Sequence, residues 1–255
     1  MASRKIITLS LYNRPGYTVK VLDSLQRCEG IKDYVIVPII DKQEGTNNQE
    51  FMRAILLKFA KSGLPVDLPR FHEDNVGCNA NIYTCLNIGF QFTDFLIHVE
   101  DDIVLAKDAL KYFEWADKQY KDDKEVFTVD AYNNEQHDTF PSAYEIKRSQ
   151  SFKPWGWGTW VDRWEGIKDR WQFGFEPRRE NGQIVFEGGG WDVCMKKLLR
   201  GDRYRIYPRI ARCLNIGAIG GAHTPSEKFH HDKHDIKVWF DNLPENAEGD
   251  YYESR

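Results

Sequence analysis

No stretch of the 255-residue sequence approaches the ~18 consecutive apolar residues that a membrane-spanning helix needs. The apolar run within the amino-terminal MASRKIITLSLYNRPG is too short for a signal peptide, so a soluble, cytoplasmic protein is the expectation. Five cysteines, Cys28, Cys78, Cys85, Cys194 and Cys213, are odd in number, scattered and without a CxxC pair. That pattern indicates neither a disulfide framework nor a zinc knuckle and favours a reducing compartment. An excess of positive charge is missing too: 35 Lys plus Arg stand against 39 Asp plus Glu, a net charge of −4, which offers no electrostatic case for a nucleic-acid partner. Internal repeats and low-complexity linkers are absent, and a chain of this length can bury the core of one large α/β unit. Aromatic residues are abundant by contrast. Eight Trp, 12 Tyr and 15 Phe make up 14% of the chain, which suits flat, amphipathic ligands such as sugars, although a large aromatic core accounts for many of them.

The first hundred residues alternate in type. An apolar strand KIITLSL (5–11) runs into YNRPG and a helical pattern to about Cys28, followed by the strand YVIVPII (34–40). Next come a helix near 48–62, a strand near 65–71, a helix near 79–92 and the strand DFLIHV (94–99). Alternating strands and helices predict a Rossmann-like, mostly parallel sheet flanked by helices. In such sheets ligands sit at the carboxyl ends of the strands. Polar residues fall there each time: Asn13 and Arg14, then Asp41, then Asp74 and Asn75, then Glu100 to Asp102. After a helix at about 106–120, short strands, Trp-rich turns and Gly-rich loops follow, which predicts a smaller mixed sheet on the second half. The last dozen residues, PENAEGDYYESR, are polar and predicted disordered.

Within FLIHVEDDIVLAKDAL (95–110) an apolar strand ends abruptly in Glu100, Asp101 and Asp102. A solvated turn is one reading of three adjacent carboxylates. A second is a divalent cation, because hard oxygen ligands suit Mg2+ or Mn2+ and the cation cancels their repulsion.

These blocks carry a resemblance. The amino-terminal strand into YNRPG, NVG before a helix, and an apolar strand into EDD resemble the GT-A glycosyltransferases. More narrowly HVEDDIVLAKDALKYF, VDAYNN, PWGWGTWVDRWEGI, GGWDVCMKKLLR and RIYPRIARCLNIGAIGGAH, in that order over residues 98–223, are similar to N-acetylglucosaminyltransferase I and related inverting enzymes. The resemblance implies a single GT-A domain over 1–255, with a nucleotide-binding half (1–102), an acceptor and catalytic half (103–240) and a polar tail (241–255). It implies a nucleotide-sugar donor, most simply a UDP-sugar, with Mn2+ or Mg2+, and a glycan or glycoconjugate acceptor. Asp102 would contact the metal, and Glu100 and Asp101 the ribose, sugar or metal-bound waters. Arg14 and Asp41 would hold the nucleotide, with Asn75 and Gly77 lining the base or ribose. Asp192 would be the base that takes the acceptor hydroxyl's proton; Trp191 beside it and Trp157 would flank the donor. His223 lies where many GT-A enzymes place a histidine on the metal or diphosphate.

Each assignment has a plainer competitor. Asp192 caps a helix WDVCMKKLLR in the alternative reading, Arg14 belongs to a Pro-Gly surface turn, and His223 is a structural histidine. Trp155, Trp157 and Trp160 divide between a sugar face and the core. His230, His231 and His234 have metal-like spacing but no cysteine partner or second cluster, which favours an exposed tail. Tyr132, Asn133 and Asn134 are candidates for binding hydroxyls. Basic residues from Lys196 to Arg212 alternate with Tyr204, Ile206 and Ile210, which predicts a half-buried strand with a solvated face from which one arginine reaches a diphosphate. Two other functions compete. A sugar nucleotidyltransferase needs a glycine-rich loop and a lysine after the first strand, and LSLYNRPGYT offers one glycine. A non-catalytic carbohydrate-binding protein leaves the EDD unexplained.

Overall fold

The computed structural model describes residues 4–135, 142–171, 176–180, 183–187, 190–199, 201–219, 228 and 251–254. Its first half follows the expected alternation. Strand β1 (Lys5–Leu11) leads to helix α1 (Pro15–Arg27), β2 (Tyr34–Ile40), α2 (Asn48–Lys61), β3 (Arg70–Phe71), α3 (Gly77–Gly89) and β4 (Phe95–Glu100). Apolar layers cover β1 and β2 on both faces, which is why each reads as one apolar run. In α1, Pro15 fills the first helical position, where no N–H is needed. Thr18, Val21, Leu22 and Leu25 form its buried stripe at helical spacing.

The predicted strand near 65–71 shrinks to Arg70–Phe71 plus one bridge between Ile36 and Val66. Pro65 and Pro69 lack the N–H that a ladder needs. Helix α3 begins earlier than its pattern suggested, because the Asp41 carboxylate accepts the backbone N–H groups of Val76 and Gly77. Gly77 itself has φ 78°, a backbone conformation that glycine adopts without steric cost.

The second half comprises β5 (Ile103–Leu105), α4 (Ala109–Tyr120), β6 (Val126–Asp130), β7 (Glu145–Ser149), β8 (Trp157–Trp160), α5 (Val161–Glu165), β9 (Glu176–Glu180), β10 (Gln183–Glu187), α6 (Trp191–Leu198), β11 (Tyr204–Pro208), β12 (Cys213–Asn215) and β13 (Tyr252–Glu253). Among the described residues, nine strands form one sheet in the order β13-β7-β11-β6-β8-β4-β1-β2-β3. Strand β8 lies antiparallel between β4 and β6 and so joins the two halves. The small sheets are antiparallel pairs, β9 with β10 and β5 with β12. Apolar layers cover both faces, one around Leu9, Leu22, Val99 and Phe113, the other around Ile6, Leu86, Trp157 and Met195.

Part of the tail expected to be disordered is docked. Tyr252 and Glu253 pair parallel with β7, Arg148 holds the Glu253 carboxylate at 2.9 Å, and Tyr251 packs among Tyr112, Trp115 and Tyr144. Aromatic packing and one ion pair outweigh the polar composition of the segment. No helix among the described residues is long and apolar enough to cross a membrane.

Candidate active site

Because β1, β2 and β4 are parallel, their carboxyl ends share one edge of the sheet. Arg14, just beyond β1, reaches across to the end of β4. Its Nη1 donates to Asp102 Oδ2 at 2.8 Å and its Nε to Asp101 Oδ2 at 3.2 Å, while Nη2 donates to Asp101 Oδ1. The three charged groups are well enclosed, with Asp101 and Asp102 buried and the Arg14 side chain 22% exposed. Burial works against the Arg14 charge, yet the Asp102 and Asp101 carboxylates outweigh it and raise its pKa. Asp101 is pushed up by burial and pulled part of the way back by Arg14. Glu100 is raised well above the usual range, first by burial, then by Asp102 and Asp101, with Arg14 opposing and Asp192 adding to the rise.

Asp192, 92 residues further along than Glu100 in sequence, follows Trp191, whose ring packs edge-on against His98 of β4 at 6.3 Å. It lies in the first turn of α6, where Gly190 and not Asp192 occupies the cap position. The capping reading therefore gives way: the Asp192 carboxylate pairs with Lys196 at 2.7 Å instead. A negative side chain in that turn is favoured by the helix dipole. What aims the turn is Asn79 in α3, whose Oδ1 accepts the Trp191 backbone N–H at 2.9 Å. Below it Trp191 stacks on Trp157 and Trp171, at centroid distances of 5.7 and 6.2 Å.

The nucleotide-side residues are engaged with one another. Asp41, buried at the end of β2, accepts from Lys42, Val76 and Gly77 N–H groups at 2.9, 2.9 and 3.0 Å. Exposed Asn75 donates to Lys42 O at 2.6 Å. These contacts close the β2–α3 corner around the Asp41 carboxylate.

Several aromatic and polar candidates turn inward. Trp157, Trp160 and Trp191 are all buried, so none presents an open face for a sugar; a mostly apolar ring on a central strand finds more contact in the core than at a rim. Tyr132 is buried against Trp155, and Asn133 spends its side chain on Arg209 O and Glu135 N. The solvated face expected of the basic segment is likewise absent at two positions. Arg205 is buried and pairs with Asp130 at 3.4 Å, and fully buried Arg212 holds Asp108 at 2.9 Å, because each meets a buried carboxylate on a neighbouring element. Among the described residues Arg14, not one of these arginines, is the cation at the strand-end acids. His223, His230, His231 and His234 lie outside the described residues.

Besides Asn79, two contributors escaped the sequence reading. Gly217 closes over the acids: a Cβ there would lie 2.1 Å from Asp102 Oδ2 and 3.1 Å from Arg14 Nη1. Tyr17 offers its ring beneath the Arg14 guanidinium, 5.6 Å from the centroid, and its hydroxyl accepts the Ile219 N–H. The only available signal was the glycine within NIGAIGG, and nothing local indicated what it would face.

Among the described residues no three His, Cys, Asp or Glu side chains converge into a metal cage. One or two carboxylates at a glycine-walled cradle match instead the donor set of a cation completed by waters and substrate phosphates.

No family model matches the chain, and no curated protein matches it. Solved structures do. A mannosyltransferase from Pyrobaculum calidifontis, in complex with GDP-Man and Mn2+, is 12% identical over 66% of this chain and 47% of its own, with a TM-score of 0.46. The glycosyltransferase GlyE of Streptococcus pneumoniae is 13% identical over 80% of this chain and 45% of its own, TM-score 0.47. TarS of S. aureus is 16% identical over 65% and 49%, TM-score 0.44. The chain spans just under half the length of each of these three.

Proposed function

We propose that the chain is a metal-dependent inverting glycosyltransferase that moves a sugar from a nucleotide-sugar, a UDP-sugar first, to a hydroxyl of a glycan acceptor. The observation that carries this reading is the meeting of two motifs from opposite halves: the ring of Trp191, beside Asp192, packs edge-on against His98 of β4, 6.3 Å between centroids and two residues before Glu100. A transferase of this kind needs one group that receives a proton and another place that holds a leaving diphosphate. In this reading Asp192 is the first and the Glu100–Asp102 strand end the second.

Asp192, partly exposed and on a rigid helical turn, takes the acceptor hydroxyl's proton as that oxygen attacks the anomeric carbon. Attack from the side opposite the diphosphate inverts the configuration. Asp102 would hold the cation, with His223 a further candidate; when bound, that ion supplies positive charge to the departing diphosphate. Arg14 offers a planar fork suited to phosphate oxygens. Asp41, Asn75 and Gly77 shape the corner proposed for the nucleoside, with Asp41 the candidate acceptor for the uracil N3–H. Trp157 and Trp191 support the Asp192 turn from below instead of touching the donor. One continuous sheet across both halves supports a single domain.

The test is release of nucleoside diphosphate from a panel of nucleotide-sugars, with and without Mn2+ and with varied glycan acceptors. UDP release that requires Mn2+ is expected. No release from any donor, with binding retained, would favour a carbohydrate-binding protein, and pyrophosphate release from sugar phosphate plus nucleoside triphosphate a nucleotidyltransferase.

A further inference from the structure

We infer that Arg14 is a built-in counter-cation that keeps the Asp101–Asp102 pair closed to a bare metal ion, so that the ion gains its place only as a donor diphosphate draws Arg14 away. The inference rests on the donor reading above and adds a regulated order to it.

The geometry carries the argument. All three nitrogens of the Arg14 fork are committed, two to Asp101 and one to Asp102 Oδ2 at 2.8 Å. Such bidentate pairing is the strongest arrangement open to a guanidinium and a carboxylate. Asp102 Oδ2 has Arg14 on one side and the Gly217 backbone on the other, so close that a single methyl would collide with it. A divalent ion seated on that oxygen must displace the guanidinium, since two cations cannot share the space or the charge. The acids are enclosed, with side-chain exposures of 6% and 12%, and buried carboxylates are not left without a cation at small cost. Arg14 therefore does not leave for nothing.

A diphosphate changes the exchange. It offers Arg14 anionic oxygens in the same planar geometry, and it offers the ion the ligands that the described residues do not assemble. Arg14 keeps the Tyr17 ring beside its guanidinium at 5.6 Å, and it projects from the junction between β1 and α1, where its backbone is not helical. The two ligands then favour each other through one side chain, and linkage requires the favour to be mutual: the factor by which UDP tightens Mn2+ equals the factor by which Mn2+ tightens UDP.

The experiment is a Mn2+ titration followed by electron paramagnetic resonance of the free ion, on wild type, Arg14→Gln and Arg14→Lys, each with and without UDP, with circular dichroism to confirm folding. Wild type is expected to bind Mn2+ weakly alone and much more tightly with UDP. Arg14→Gln removes the competing charge, so it binds Mn2+ alone at least about tenfold more tightly than wild type, a difference of about 1.4 kcal/mol, and UDP adds less. Arg14→Lys, which cannot bridge both acids, falls between them. If Arg14→Gln, or Arg14→Lys should the former not fold, binds Mn2+ alone no more tightly than wild type, the inference is overturned while the donor reading stands. If wild type binds no Mn2+ even with UDP, the donor reading falls and the inference with it.

Discussion

Asn79 and Trp191 are joined across 112 residues of sequence by a 2.9 Å hydrogen bond from the Trp191 backbone N–H to the Asn79 side-chain oxygen. That bond satisfies one of the otherwise unpaired N–H groups at the start of α6 and ties the Asp192 turn to α3. Asn79→Ala is expected to lower kcat by roughly tenfold to a hundredfold, the scale of a small misplacement of a reacting group, with little change in KM for the donor. Equal loss of donor affinity and turnover would show that Asn79 acts on the whole edge of the sheet.

Asp192→Asn retains the shape of the carboxylate but not its capacity to take a proton. Transfer should fall by about 10²–10⁴-fold while UDP-sugar affinity, read by calorimetry, stays near wild type. Stability should hardly move, since the lost Lys196 pair is a partly exposed helical one, worth about 0.3–0.5 kcal/mol. Turnover near wild type would remove Asp192 from the role of base.

Gly217→Ala places a methyl in the cradle, 2.1 Å from Asp102 Oδ2 before relaxation. The Asp102 carboxylate must rotate off Arg14, and Mn2+-dependent UDP affinity should drop by tenfold or more. Unaltered affinity would mean that Asp102 Oδ2 is not part of the metal seat.

Asp130 and Arg205 are paired and almost fully buried, with side-chain exposures of 0% and 3%. Burial pushes Asp130 up to about 6, against the pull of Arg205. Asp130→Asn leaves the arginine without a counter-charge and should cost about 3–5 kcal/mol in urea unfolding. Replacing both, by Asp130→Ala with Arg205→Met, should recover much of that loss. A single variant within about 0.5 kcal/mol of wild type would place the pair among inconsequential surface contacts.

His98 lies buried between Trp157 and Trp191, its Nδ1 3.1 Å from Thr8 Oγ1, and burial pushes its pKa down from 6.5 to about 3. The unfolded chain takes up a proton as the pH falls through 6.5 and the folded chain does not, so the contribution is present above 6.5 and is lost as the pH falls toward 3. His98→Asn, which does not titrate, should therefore lose less stability on acidification. Its deficit relative to wild type should narrow by about 1.4 kcal/mol per pH unit below 6.5. Parallel pH curves from urea unfolding would refute the buried neutral state.

Strands β1, β2 and β4 and helices α1, α2 and α4 were legible because their signals are local: unbroken apolar runs of strand length, and apolar spacing at the helical period. The start of α4 illustrates the limit. Its pattern extends back to residue 106, but residues 103–105 pair with β12, and Asp108 gives its carboxylate to Arg212 and Tyr251 in place of a cap. Tryptophans were ambiguous for a similar reason, since an indole suits a sugar face and a core equally well until the neighbouring strands are known.

The amino-acid sequence by itself determined the alternation of strands and helices, and with it the edge at which Arg14, Asp41 and Glu100–Asp102 gather. Runs and periods are properties of a short segment, so no distant residue was needed to read them. Only the tertiary structure decided that Arg14 closes on Asp101 and Asp102, that Gly217 walls Asp102, and that Asn79 holds the start of the Asp192 turn. Each of those relations joins residues from 87 to more than a hundred positions apart in the chain through contacts of a few ångströms. The pairing of β1 with β4 and of β5 with β12, and the packing of α3 against α6, create that proximity, and no one segment specifies it alone.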